Sequence, residues 1–193
     1  ITTRLVGSEM CIRDRYTLLD QNTFWLCEKP DSVGMVGWDA ALTRIATWVK
    51  LQDKKTGQIL MVVNTHFDHI GTEARRNSAL LIIEKIKEIV GTSPAILTGD
   101  FNVSEDWDAY KTITNNEFIL KDAHKVAGKR TGVDFTYHNF GKIPAEKCEK
   151  IDFIFVTPQI RVISSYIPFS QLNDTLFSVS YTHLRAHETR SNL

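Results

Sequence analysis

Residues 94–102, PAILTGDFN, and residues 62–69, VVNTHFDH, decide how this chain is read. Each is an apolar run that stops abruptly at polar groups able to bind metal or phosphate, the pattern of a buried strand ending in a site. In the first, Ala95, Ile96 and Leu97 read as core, and Asp100 and Asn102 as chemistry. In the second, Met61, Val62 and Val63 precede Asn64, His66, Asp68 and His69. A strand sends alternate side chains to one face, so Asn64, His66 and Asp68 are expected to project together, and Asp100 with Asn102.

Outward from these stretches, residues 16–28 read as strand interrupted by a turn at 20–22, and residues 30–37 as a loop broken by Pro and Gly. Residues 40–51 carry apolar positions at Leu42, Ile45, Trp48 and Val49. With a polar turn at 53–57 and a strand from Ile59, they form an expected antiparallel hairpin leading into the site. Residues 72–90 read as the clearest helix, with Ala79, Ile82, Ile83, Ile86 and Val90 at helical spacing, Thr72 as cap and Gly91 as stop. Arg75 and Arg76 in its first turn read by default as solvated. Residues 104–112 are a short helix candidate capped by Ser104, residues 118–123 a short segment ending near Asp122, and residues 135–140 a segment carrying Thr136, Tyr137 and His138. Residues 151–156 read as another buried strand, with 161–167 as its antiparallel neighbour. Strand, helix, strand in this order implies α/β packing with the helix covering the sheet.

NTHFDH, LTGDFN and the later KIDFIFV (residues 150–156) together resemble the motifs of the endonuclease/exonuclease/phosphatase superfamily; residues 23–48 resemble a bacterial branch of it. Three ordered motifs are more specific than any alone. The resemblance covers residues 16–178 and implies a four-layer α/β sandwich, two mixed sheets packed face to face with helices outside, here incomplete.

The ends read differently. Residues 6–15, VGSEMCIRDR, and 179–193, VSYTHLRAHETRSNL, resemble translated sequencing-adapter DNA, so residues 1–15 and 179–193 are expected to be non-native and only 16–178 to be the partial domain. Of 23 basic and 23 acidic residues, five basic and three acidic fall in those ends, leaving 18 against 20. A slightly acidic body is a poor match to a domain that holds nucleic acid by phosphate neutralisation. No apolar run approaches the roughly 20 residues that span a bilayer. Cys27 and Cys148 fit no zinc spacing and demand no disulfide. The compartment stays open, and no protein partner is expected.

The resemblance implies hydrolysis of a phosphate ester with Mg²⁺ or Mn²⁺, hard cations suited to carboxylate and amide oxygens. It assigns His66, Asp100, Asn102 and Asp152 as catalytic, Asp100 and Asn102 also as metal ligands, and Arg44, Asn64 and His138 as substrate-binding. Asp100 would orient or deprotonate the water, with Asn102 hydrogen-bonded to it. His66 and Arg44 would act on phosphoryl oxygens. Asp152 would orient a second histidine. The expected substrate is a small phosphodiester or phosphomonoester; a nuclease acting on DNA or RNA and a noncatalytic phosphate-binding module are the alternatives.

The chain departs from the superfamily pattern in having neither the early strand that ends in a metal-binding glutamate nor the closing Ser-Asp-His motif. The parent protein is therefore expected to be the enzyme and the 193-residue chain to have little or no activity, because such groups act as a unit.

Overall fold

The computed structural model describes residues 15–168 apart from 117 and 119, together with three short strands beyond them. In chain order the elements are β1 (Tyr16–Trp25), β2 (Ile45–Asp53), β3 (Ile59–His66), α1 (Thr72–Val90), β4 (Ala95–Asp100), α2 (Asp108–Thr114), β5 (Lys121–Asp122), α3 (Ala123–Val126) and β6 (Lys129–Gly132). Then come β7 (Asp152–Val156), β8 (Arg161–Ile167), β9 (Ser170–Leu172), β10 (Thr175–Phe177) and β11 (His183–His187). Among the described residues no helix is long and apolar enough to cross a membrane.

A mixed six-stranded sheet runs in the order β1-β2-β3-β4-β7-β5. Its one parallel pair is β3 with β4, joined by the crossover helix α1, and the remaining pairs are antiparallel. A second sheet has the order β11-β8-β6, and β9 pairs with β10. These are the mixed sheets and few helices of the expected α/β fold.

Alternation along the strands sorts the first sheet into two faces. Met61, Val63, Ala95, Leu97, Phe153 and Phe155 are buried with Ala79, Ile82, Ile83 and Ile86 of α1 in the main core. Burying each large apolar side chain contributes about 1.5–3 kcal/mol. The opposite face meets a smaller cluster in which Ile96, Ile154 and Val156 pack with Ala123 of α3 and Val162 of β8. Phe101 sits at the centre of the main core, edge-on to Phe67, with ring centroids 4.9 Å apart, and to Phe155 at 5.2 Å.

Several local expectations are corrected. β1 is continuous; the residues read as a turn pair with β2, and only a register shift between Leu18 and Asp20 marks the irregularity. β2 begins at Ile45, because residues 41 and 42 give their amides to a side chain instead of a ladder. The cap of α1 is Gly71, not Thr72, with no side-chain cap of its own. Asp39 supplies the missing acceptor from another loop, taking the Ala74 amide at 2.7 Å and the Glu73 amide at 3.2 Å. A Cβ on Gly71 would lie 2.6 Å from the Asp39 carboxylate, so this approach requires glycine. α2 starts at Asp108 with Trp107 as its cap position, three residues beyond the expected cap Ser104. β8 does not pair with β7: after a turn closed by the Ile160 amide on Thr157, it enters the second sheet between β6 and β11. Residues 183–187 form β11, which pairs antiparallel with β8.

Candidate active site

Strand register places three of the expected site residues in one row. His66 of β3 is the Cα partner of Asp100 on β4, which is the partner of Asp152 on β7. Paired residues share a face, so all three lie on the face opposite α1, as does Asn64 one step below. The approach of β3 and β4 depends on Gly99, where a Cβ would fall 2.2 Å from the Thr65 carbonyl oxygen.

The His66 Nε2 is 3.6 Å from the Asp100 Oδ2, and both side chains are accessible. Asn64 donates through Nδ2 to the Thr98 hydroxyl at 2.9 Å, which donates to the Val63 carbonyl at 3.2 Å. Asn102 lies beyond the strand end in the left-handed region, with φ of 49°, and so does not follow the alternation expected from Asp100. Its amide N–H instead donates to Asp100 Oδ1 at 3.0 Å, and its Nδ2 donates to the Phe67 carbonyl at 3.0 Å. The side-chain contact ties the two site-bearing strand ends together.

Asp152 is half-buried, and its carboxyl is pushed up to about 6 by burial and, more weakly, by the charge of Asp100, against a lowering hydrogen bond from Thr136. The Thr136 hydroxyl oxygen accepts the amides of Ile151 at 3.0 Å and Asp152 at 3.1 Å. Thr136 is a site residue that sequence reading passes over, since nothing in a lone threonine signals a partner 16 positions away. Among the described residues no three histidine, cysteine or carboxylate side chains converge as a metal cluster. The expected ligands, Asp100 and Asn102, offer a carboxylate and an amide oxygen, which suit Mg²⁺ or Mn²⁺ in kind; such ions keep several waters.

Arg44 lies just before β2 and lines a cleft of about 190 Å³ with Thr47, Asn64 and His66. Its Nε faces Asp68 Oδ1 at 3.4 Å, and its Nη2 is 3.3 Å from the His69 Nδ1. Asp68 does not project with Asn64 and His66: it lies past the end of β3, 1% exposed. Burial opposes its charge, but the amides of Gly71, Ala41, Ile70 and Leu42 outweigh that and hold the carboxyl far below the usual carboxylate range. Arg75, read as solvated, is buried. Its Nη1 donates to the Asp68 carbonyl at 3.0 Å, and its guanidinium stacks 4.8 Å from the Trp107 ring centroid. Arg76 is exposed, as expected.

His138 is buried, with Nδ1 accepting the Gly141 amide at 2.8 Å at the start of a 3₁₀ turn. It lines no part of the Arg44 cleft. Asp122 serves a buried network, accepting from Lys150 at 2.9 Å and Tyr110 at 3.3 Å; burial first, then the Asp122 charge, pushes the Tyr110 hydroxyl up to about 12.

The chain is similar to solved structures of the same architecture. An endonuclease/exonuclease/phosphatase of Bacteroides vulgatus is 60% identical, with 92% of this chain and 68% of that chain covered and a TM-score of 0.87. An endonuclease/exonuclease/phosphatase family protein of Bacteroides thetaiotaomicron is 31% identical, with 93% and 68% covered and a TM-score of 0.80. A mannosyl-6-phosphatase of the same species is 32% identical, with 92% and 68% covered and a TM-score of 0.78. An uncharacterized protein of Acanthamoeba polyphaga mimivirus is 36% identical over 127 residues, which cover 62% of this chain and 46% of that protein, so the match spans about half of that relative. No family profile matches the chain. Fold and these likenesses define a mixed α/β scaffold of the endonuclease/exonuclease/phosphatase type. The chain belongs to the endonuclease/exonuclease/phosphatase family.

Proposed function

We propose that the protein this chain represents is a divalent-metal-dependent phosphoric ester hydrolase whose substrate is a small phosphate ester. The observation that carries this reading is the row His66, Asp100, Asp152 on three adjacent strands, with Asn102 bonded to Asp100 and with Arg44 and His66 lining one cleft. The near-neutral charge and the likeness to a mannosyl-6-phosphatase support a small phosphate ester over nucleic acid.

Phosphoryl transfer asks for positioning and charge compensation. In this reading Asp100 and Asn102 would hold Mg²⁺ or Mn²⁺, which would supply charge neutralisation and activation of water. Asp100 orients the water and takes up its proton. Arg44 offers paired donors to the nonbridging oxygens, and His66 donates to a phosphoryl oxygen. Asn64 shapes the floor of the cleft through its bond to Thr98. Asp152, held by Thr136, is placed to orient a donor for the leaving oxygen.

The test has two arms. The 193-residue chain is titrated with Mg²⁺ and inorganic phosphate by NMR, with shifts expected at His66, Asp100 and Asn102 and turnover at or near background. The parent protein is assayed with hexose 6-phosphates, aryl phosphomonoesters and diesters, and single-stranded DNA and RNA. Hydrolysis of the small esters supports the reading. Preference for the polynucleotides supports the nuclease, and phosphate binding without hydrolysis supports the noncatalytic module.

A further inference from the structure

The Asp68 carboxylate is used unequally by its two oxygens. Oδ2 accepts three backbone amides, from Ala41 at 3.1 Å, Ile70 at 2.9 Å and Gly71 at 2.8 Å. Oδ1 accepts the Leu42 amide at 3.2 Å and faces the Arg44 Nε at 3.4 Å. One oxygen thus fixes the loop before β2 to the start of α1, and the other faces a side chain that lines the phosphate cleft.

The Arg44 guanidinium is thereby oriented. Nε is turned to Asp68, and Nη2 donates to the His69 Nδ1, so Nη1 is the edge without a partner among the described residues. A guanidinium only donates, so this contact also makes the His69 Nδ1 an acceptor. Asp68 is itself held from behind, since Arg75 binds its carbonyl from the first turn of α1 while lying under Trp107.

Resting on the phosphoesterase reading of the cleft, we infer that Asp68 is a positioning residue for Arg44, aiming the free Nη1 edge at the substrate phosphate, with Arg75 setting the position of Asp68. A charge held by a preorganised partner loses less rotamer entropy on binding, so affinity depends on a residue that never touches the ligand.

Asp68→Asn isolates this role. Placing the new amide nitrogen at Oδ1 keeps all three bonds to Oδ2 and turns the Arg44 contact into donor against donor; the Leu42 amide loses its acceptor too, in either background, so the comparison across Arg44 backgrounds isolates the Arg44 part. Inorganic phosphate binding in the presence of Mg²⁺ is measured for wild type, D68N, R44A and the double variant, each with its urea midpoint. R44A is expected to weaken binding about tenfold, as loss of a charge-assisted contact does. D68N should weaken it about three- to tenfold when Arg44 is present and not at all in the R44A background. The urea midpoints show that each variant is folded under the binding conditions, so that a loss of phosphate binding is not a loss of folded protein. Equal losses in both backgrounds, or none in either, overturn the inference while leaving the cleft reading intact. Absence of phosphate binding by the folded wild type removes both. Should D68N fail to fold, the Arg44 Nε–H in wild type decides: slow solvent exchange supports the inference and free exchange overturns it.

Discussion

Replacing Asp152 by asparagine should stabilise the metal-free protein at neutral pH, although it removes a residue assigned to the site. The folded state raises this carboxyl from 3.8 to about 6, chiefly through burial and with a contribution from Asp100. Below about pH 4 the group is protonated in both folded and unfolded chains and costs nothing. Between about pH 4 and pH 6 the folded protein retains a proton that the unfolded chain has released, so stability falls as pH rises. Above about pH 6 the carboxylate is charged in both states and the full penalty applies. Two units at about 1.4 kcal/mol each give about 3 kcal/mol as the upper limit. Asparagine has no charge to desolvate and still accepts from Thr136, so D152N should exceed wild type by about 1–3 kcal/mol at about pH 7.5, with the gap closing toward about pH 4.5. Urea unfolding of both proteins in EDTA at those two pH values measures it. A variant less stable than wild type at neutral pH, or a gap independent of pH, would refute the reasoning.

Adding excess Mg²⁺ should raise the urea midpoint of wild type and leave that of Asp100→Asn almost unchanged, since an ion that binds only the folded state stabilises it; equal shifts would place the ion elsewhere. On the proposed phosphoesterase reading, Asp100→Asn in the parent protein should lower kcat about 10²- to 10⁴-fold, measured on the best small ester. Gly99→Ala should force β3 and β4 apart at Thr65, lowering the melting temperature and the response of His66 to phosphate together, both readable by NMR. Phe101→Ala, at a fully buried ring, should cost about 3–5 kcal/mol in chemical denaturation.

Much of this was legible because the informative signals are local. The apolar runs before Asn64 and Asp100, and the spacing of Ala79, Ile82, Ile83 and Ile86, report one strand or one helix at a time, and β3, β4 and α1 lie where they were expected. The motifs, read as a family resemblance, supplied His66, Asp100 and Asp152, which register then brings into one row. What escaped the sequence depends on partners far along the chain. Asp39 caps a helix 35 positions away, Thr136 holds a carboxylate on another strand, and Arg75 is buried only because Asp68 and Trp107 surround it. β8 was misplaced for the same reason: its apolar pattern suits either sheet, and the packing of Val162 with Ala123 and Val156 selects the second. Asn102 left the expected alternation because the backbone reverses there, with its amide folded back on Asp100.

Phe67 and Phe101 each follow a site residue, His66 in one case and Asp100 in the other, and their rings lock edge to face beneath the sheet. Two segments separated by the whole of α1 therefore share one anchor. A disturbance of either strand end reaches the other through this ring pair, so the spacing of the imidazole and the carboxylate is inherited as a single unit.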